Sequence, residues 1–359
     1  MTFQTPTNSL AVRNMLEQAK WAFATRRVDH SDACGLSQNF KDAIAGDLVL
    51  GRVTSISSHK RIQLPSGRPS RLYPDDLVVL AVGARYAADQ FEGYAEIDAN
   101  GADMLAGGGC IGRMVARNER VKAPTRIEPL GLLKNADERI INLADYALTD
   151  VQDHATIPVI CIVGSGMNGG KTTATAALIY GLRQAGWNVA GLKGTGTGAF
   201  GDYNAYADAG AHYVGDFTDT GMVTTYLEPK SRIVTTIDRL LVESEARGCD
   251  IAVLEIADGV LQKETIELLQ DPSVRGRMSG FIYACGDALS AAGGVHALRG
   301  HGIEPAAITG IVSCSPMATT EAVNATGIEV VTRQGLSDPA IASSLFNAMR
   351  ATRLGEMVA

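Results

Sequence analysis

Lys171 and Thr172 lie at the end of the stretch Val-Ile-Cys-Ile-Val-Gly-Ser-Gly-Met-Asn-Gly-Gly-Lys-Thr at 159–172, an order of residue types suited to holding phosphate. Five apolar residues, 159–163, read as a fully buried strand that runs without a break into a glycine-rich loop opening a helix. Glycines keep the backbone bare, so loop amides can approach an oxyanion, and the positive end of the helix adds to the attraction. Gly164, Gly166, Asn168, Gly169, Gly170 and Thr173 are therefore expected to line a phosphate cradle. Lys171 is placed to reach the terminal phosphates, and the Thr172 hydroxyl to ligate Mg²⁺.

A second candidate follows from the strand at 251–256. It ends in Glu255, and a carboxylate at the carboxyl end of a buried strand, across from a phosphate loop, is the expected second contact to Mg²⁺. Asp258 lies just beyond it. The loop after the strand at 188–192 carries Lys193 and Thr195 at its mouth, then Asp202 and Asp208, and has four glycines in the eight residues 194–201. Such a loop is costly to order and is expected to close over the site when substrate arrives.

The loop departs from the standard P-loop spacing. Ser165 stands where the first glycine belongs, and Gly164 comes one residue earlier, giving Gly-x5-Gly-Lys-Thr. That longer form is similar to the loop of dethiobiotin synthetase and its relatives in the MinD-type and nitrogenase-iron-protein-type class, with Asn168 in place of a glycine usual there. In dethiobiotin synthetase a strand ending in Gly-Tyr-Lys-Pro presents a lysine to substrate and phosphate. Ala190-Gly191-Leu192-Lys193 resembles it, which implies that role for Lys193. The family's metal-reaching carboxylate after this loop implies Asp202 first and Asp208 second. Its Val-Glu-Gly-Ala-Gly-Gly segment matches at Glu255, whereas Ile256-Ala257-Asp258-Gly259 departs from its glycines and makes Asp258 a candidate base or substrate ligand. The Asn with which that family reads adenine has no counterpart in 311–316, so ATP is expected on family frequency and GTP stays open. The order of a small β-rich region and then a P-loop domain also resembles the P-loop family that includes the D-glutamate N-acetyltransferases.

Elements must bring these residues together. From Thr156 onward strand and helix alternate: a helix at 171–184 buries Ala174, Leu178, Ile179 and Leu182, and strands are expected at 188–192, 251–256, 280–284, 307–312 and 327–331. That alternation predicts an α/β domain over 151–359, with a mostly parallel, doubly wound sheet that binds ligands at its carboxyl edge. Residues 1–150 read as a smaller β-rich domain, barrel-like, with a leading helix at 10–27. Residues 124–150 read as the join. Gly107, Gly108 and Gly109 read as a tight turn or a substrate-facing backbone, with a second anion-binding loop as the alternative. Arg85 and Arg113 are candidates for a substrate carboxylate, because guanidinium binds planar anions bidentately.

Composition narrows the function. The chain has 359 residues and a net charge of −7, with no concentrated basic surface, so nucleic acid is not an expected partner. The most basic stretch, with Lys60, Arg61, Arg68 and Arg71, is broken by proline and glycine and suits a hairpin in solvent or near an anionic substrate. Six cysteines without a Cys-x-x-Cys pair argue against structural zinc and for a reduced, cytoplasmic protein. No apolar run is long enough for a membrane helix. The leading expectation is a Mg²⁺- and ATP-dependent enzyme, a homo-oligomer, that phosphorylates or activates a small metabolite bearing a carboxylate or amine. The same cradle could hold the pyrophosphate of an acyl-CoA for N-acyl transfer to an amino acid, or serve a nucleotide-binding accessory or switch protein. Thr172 together with Glu255 favours a nucleoside triphosphate, because a CoA site has no need of Mg²⁺.

Overall fold

Leu77–Val82 is apolar at all six positions because both of its faces are covered. In the computed structural model, which describes residues 9–149 and 155–358, Val78, Leu80 and Val82 join Val49, Val53, Met104, Ile111 and Ile127 in one core cluster. The alternate residues Val79 and Ala81, with Leu48 and Leu50, pack instead with Val12, Leu16 and Trp21. Side chains alternate across a strand, so the same run serves two cores.

The chain forms two compact units. One takes the described residues of Met1–Leu148 with Thr197–Phe200 and Phe217–Leu227; the other takes those of Thr149–Gly196, Gly201–Asp216 and Glu228–Ala359. The boundary expected at 150/151 falls among residues 150–154, outside the described residues.

The first unit is built on a nine-stranded sheet whose pairings close on themselves. Leu77–Val82 pairs with Leu48–Ser55, which pairs with Thr125–Lys134, then Ala102–Met104, then Cys110–Arg117, which returns to Leu77–Val82. The result is a small five-stranded barrel with further strands on its rim. Two expectations are corrected here. The leading helix is Ser9–Gln18 rather than 10–27, because Lys20–Trp21 pairs with Leu77–Val82 and Ala22 and Phe23 go into the interior. Residues 124–150 are not a bare join: Thr125–Lys134 is a ten-residue strand. Pro129 and Gly131, which disguise it in the sequence, stand where its register against Leu48–Ser55 shifts, a position that tolerates a residue without a ladder N–H. Gly108 and Gly109 do form a close turn. A Cβ on Gly109 would lie 2.4 Å from that of Ala22, and Gly109 has φ 118°.

The second unit carries a six-stranded, wholly parallel sheet in the order Tyr213–Asp216, Val189–Lys193, Ile251–Glu255, Val159–Gly164, Gly280–Ala284, Ala307–Thr309. Helices connect the strands and cover them, as the alternation predicts. The edge strand Tyr213–Asp216 is absent from the sequence reading. The strand expected at 327–331 shrinks to a single bridge between Ile308 and Val330, and the run at 307–312 stops at Thr309, where Gly310 takes φ 95°. One large core cluster joins Leu178 and Leu182 of helix Lys171–Gln184 to Ile160, Val253 and Ile282 of the central strands.

Helix Ala288–Gly300 offers a test of this packing. A Cβ on Gly294 would lie 1.8 Å from the Tyr283 hydroxyl oxygen, which donates to Ser290 O at 2.9 Å, whereas a Cβ on the neighbouring Gly293 meets nothing within 4 Å. Gly294→Ala is expected to lower stability by about 1–3 kcal/mol through overpacking. Gly293→Ala should raise it by about 0.5–1 kcal/mol through helix propensity. Urea unfolding of the two variants checks the opposite signs, and equal shifts would show that Tyr283 does not lie over this helix face.

Candidate functional site

Val159–Gly164 lies between Ile251–Glu255 and Gly280–Ala284, and all three run parallel, so their carboxyl ends share one edge. Strands reached before and after Ile251–Glu255 lie on opposite sides of Val159–Gly164, which places a topological switch point, the usual ligand crevice of such sheets, beside the phosphate loop. Helix Lys171–Gln184 begins directly after the loop with Gly170 at φ 97°. A Cβ on Gly164 would lie 2.8 Å from Cγ of Lys171, so the lysine stem lies along the loop backbone. Thr173 is exposed in the first helical turn.

Two residues at this edge adopt the left-handed conformation without being glycine: Asn168 at φ 62° and Asp258 at φ 60°. Asn and Asp are the residues that tolerate it best. Gly259, where a Cβ would lie 2.5 Å from Ser165 O, lets the backbone after Glu255 pass against the loop. Gly310, missed by sequence reading, does the same from the other side: a Cβ there would lie 2.2 Å from Gly169 O.

Lys171 is buried, and its Nζ donates to Gly166 O and Asp258 O, each at 2.7 Å. Burial holds its ammonium below the ordinary lysine value, against the opposing pull of Glu255 and Asp258. Asp258 holds Lys171 through its main-chain carbonyl, a role its side-chain type did not announce. From the helix start a chain of charged contacts runs inward. Thr172 Oγ1 donates to Asp202 Oδ1 at 2.7 Å. Lys193 Nζ is ion-paired with Asp202 Oδ2 and lies 3.5 Å from Glu255 Oε1. Tyr206 Oη donates to Glu255 Oε2 at 2.5 Å.

The charges in this network set one another. Burial by itself would lower Lys193, but the Glu255 and Asp202 carboxylates outweigh it and hold the ammonium well above the ordinary value. Burial likewise opposes ionisation of Asp202, yet Lys193 and the Thr172 hydroxyl hold that carboxyl below the usual range. Tyr206 is pushed up by burial and by the neighbouring carboxylates, and stays a neutral donor. Asp202 and Tyr206 are four residues apart on helix Phe200–Asp208, hence on one face; sequence reading missed Tyr206, and that spacing is the signal that could have found it. Asp208 is exposed at the far end of the helix, so Asp202 is the carboxylate beside the loop.

Other candidates are placed differently. Thr195 is buried and its Oγ1 accepts from Ala257 N at 2.8 Å, tying the end of the Val189–Lys193 segment to the backbone before Asp258. Arg85 is buried in the first unit, where its guanidinium donates to Leu105 O and to Gln90 Oε1, the latter at 3.0 Å. Arg113 is engaged by Asp98 at 3.1 Å and Glu96 at 3.5 Å. Both arginines are therefore committed to local partners, which their positions in the sequence could not reveal. The glycine-rich loop at 194–201 is also not a free lid: Gly194 N donates to Glu255 O at 2.9 Å, and Gly198 N to Val223 O at 2.8 Å. The turn it lies against requires glycine: a Cβ on Gly108 would lie 1.9 Å from Gly198 O.

Among the described residues no group of three or more His, Cys, Asp and Glu side chains gathers as for a metal ion, and no helix is long and apolar enough to cross a membrane. Mg²⁺ needs no such cage, because it keeps several waters and takes one or two protein oxygens beside phosphate. The hydroxyl of Thr172 and the carboxylate of Asp202 are a pair of hard oxygen donors of that kind. Glu255 has one oxygen toward Lys193 and the other on Tyr206, so it stands a step behind them.

No family model matches the chain, and no curated protein does. Among solved structures, the signal recognition particle receptor FtsY from Elizabethkingia anophelis aligns at 13% identity and a TM-score of 0.37, covering 59% of this chain and 76% of that one. The signal recognition particle 54 kDa protein from Aeropyrum pernix K1, in complex with GDP, aligns at 17% identity and a TM-score of 0.37, covering 58% of this chain and 54% of that one. Likenesses this distant add nothing to what strand, loop and helix already show, which is a P-loop α/β fold preceded by a β-rich unit.

Proposed function

We propose that the chain is a Mg²⁺- and nucleoside-triphosphate-dependent enzyme that phosphorylates, or activates by phosphorylation, a small metabolite bearing a carboxylate or amine, with ATP as its nucleotide and GTP as the alternative. One observation carries this reading: Thr172, Asp202, Lys193, Glu255 and Tyr206 form a single connected network directly behind the phosphate loop. A loop that only turned a strand into a helix would have no use for a buried ammonium held between two carboxylates.

Each residue then has a stated task. The loop amides and Lys171 hold the phosphates, and Lys193, kept charged by its neighbours, faces the negative charge on the group being transferred. Thr172 and Asp202 would hold Mg²⁺, which neutralises phosphate charge when bound. Glu255 acts through Lys193 by fixing its position and charge, and Tyr206 fixes Glu255. Asp258, with its strained backbone beside Lys171, is the candidate to orient or deprotonate the acceptor.

Lys171→Ala is expected to fold and to lose nucleotide binding. In thermal unfolding the wild type should gain stability with MgATP or MgGTP, by about 2.7 kcal/mol at a hundredfold excess over Kd, and the variant should gain none. Equal gains, or retained turnover in Lys171→Ala, would remove the phosphate cradle from the account.

Asp202→Asn and Asp208→Asn separate the two acids. Only the first should weaken the Mg²⁺ dependence of nucleotide binding, read by titrating metal at fixed nucleotide. The first should also change the acid limb of stability. Asp202 is held below the ordinary aspartate value of about 3.9, so its contribution is fully present above that pH and is lost as pH falls toward the lower folded value. Wild-type urea midpoints should therefore fall more steeply below about pH 4 than those of Asp202→Asn. Parallel acid limbs would mean that the Lys193 contact does not hold Asp202 ionised.

A further inference from the structure

The first unit contains a cavity of about 850 Å³ that the phosphate-loop reading does not use. It opens between helix Ser9–Gln18 and the hairpin made by Arg61–Gln63 and Pro69–Arg71. Its floor is apolar and fixed. Trp21 is 6% exposed, donates from its indole to Leu16 O at 3.2 Å, and is stacked by the His30 ring with centroids 3.7 Å apart. The two walls are tied together by Lys20, whose Nζ donates to Arg71 O at 2.8 Å and is ion-paired with Asp76. The turn of the hairpin is set by Leu64 N to Arg68 O and Gly67 N to Leu64 O, each at 3.0 Å, with Gly67 at φ 79°.

Lys20 is thus spent on building the cavity, and two cations remain at its rim. Among the described residues, neither the guanidinium of Arg13 on the helix nor that of Arg68 on the hairpin has an ion-pair or hydrogen-bond partner. Glu17, one turn beyond Arg13, also lines the rim without pairing with it. In a chain of net charge −7, two uncommitted guanidiniums above a rigid aromatic floor are a specific arrangement. The volume lies in the ~300–1,000 Å³ range of small-molecule sites.

We infer that this cavity binds a small organic acid, with its carboxylate between Arg13 and Arg68 and its apolar body on Trp21, Leu16 and Leu64. Guanidinium pairs with a carboxylate bidentately, and the apolar floor rewards a hydrocarbon body by removing it from water. Glu17 disfavours ligands of dense negative charge, such as an oligonucleotide, while leaving room for one anionic group.

Titration calorimetry of the full chain with 3-phenylpropionate, 3-phenylpropionamide and inorganic phosphate tests this inference. The acid should bind saturably, and the neutral amide, which lacks the charge, and phosphate, which lacks the apolar body, should each bind at least about tenfold more weakly. Arg13→Gln and Arg68→Gln, at exposed positions whose loss leaves no partner unpaired, should keep the wild-type circular dichroism and each weaken the acid by about tenfold or more. The inference is overturned by the absence of saturable binding of the acid at millimolar concentration, by phosphate binding as tightly as the acid, or by wild-type affinity in both variants. None of these readings depends on nucleotide, so they stand apart from the tests of the phosphate loop.

Discussion

The ammonium of Lys193, largely withdrawn from water at the carboxyl end of its strand, is the constraint on which the candidate site depends. Burying one charge costs several kcal/mol unless it is paired, and here two carboxylates, Asp202 and Glu255, share the task. Each carboxylate is in turn fixed by a hydroxyl, Thr172 on Asp202 and Tyr206 on Glu255. The consequence is positional. Thr172 belongs to the helix after the phosphate loop, Asp202 and Tyr206 to a second helix, and Lys193 and Glu255 to neighbouring strands in direct register. Satisfying one buried charge therefore locks two helices and two strands at the edge where chemistry would occur.

The backbone around this network is held to the same tolerance. Lys171 reaches two carbonyls, those of Gly166 and Asp258, only because the loop and the segment after Glu255 approach closely. Gly259 permits that approach after the flanking strand Ile251–Glu255, Gly310 lets the backbone after Ala307–Thr309 lie against the loop at Gly169, and Asn168 and Asp258 accept left-handed backbone at the same edge. Strain of this kind persists where surrounding packing over-determines it, which is why it gathers at an edge already fixed by the ion network.

The first unit reaches its rigidity by another route. Its strands close into a barrel, so there are few open edges, and alternate side chains of Leu77–Val82 supply the interior and the contact with helix Ser9–Gln18 at once. Two excursions of the later chain, Thr197–Phe200 and Phe217–Leu227, belong to this unit, so the glycine-rich loop that follows Lys193 is paired backbone. A sequence rich in glycine reads as mobile when its partners are unknown. The same residues read as close packing once Gly108 is seen against Gly198.

The sequence by itself determined the phosphate loop and the parallel α/β sheet around it, because both are written in local order: an apolar run, bare glycines, Lys171-Thr172, then helical periodicity. It also singled out Lys193, Asp202 and Glu255, since a charge at the end of a buried strand or just after a loop is visible without coordinates. Tertiary structure alone decided which of them meet. Tyr206 has no role in the sequence reading and gains one only because its hydroxyl meets Glu255, and the ranking of Asp202 before Asp208 rested on resemblance until the helix put one toward Lys193 and the other into solvent. Arg85 and Arg113 looked like free cations because their partners, Leu105, Gln90, Glu96 and Asp98, come from other strands and turns. Thr125–Lys134 was hidden because Pro129 and Gly131 break the strand pattern at a register shift that exists only against Leu48–Ser55. What a residue is can be read along the chain, whereas which partner satisfies its charge or hydrogen bond depends on segments that only folding brings together.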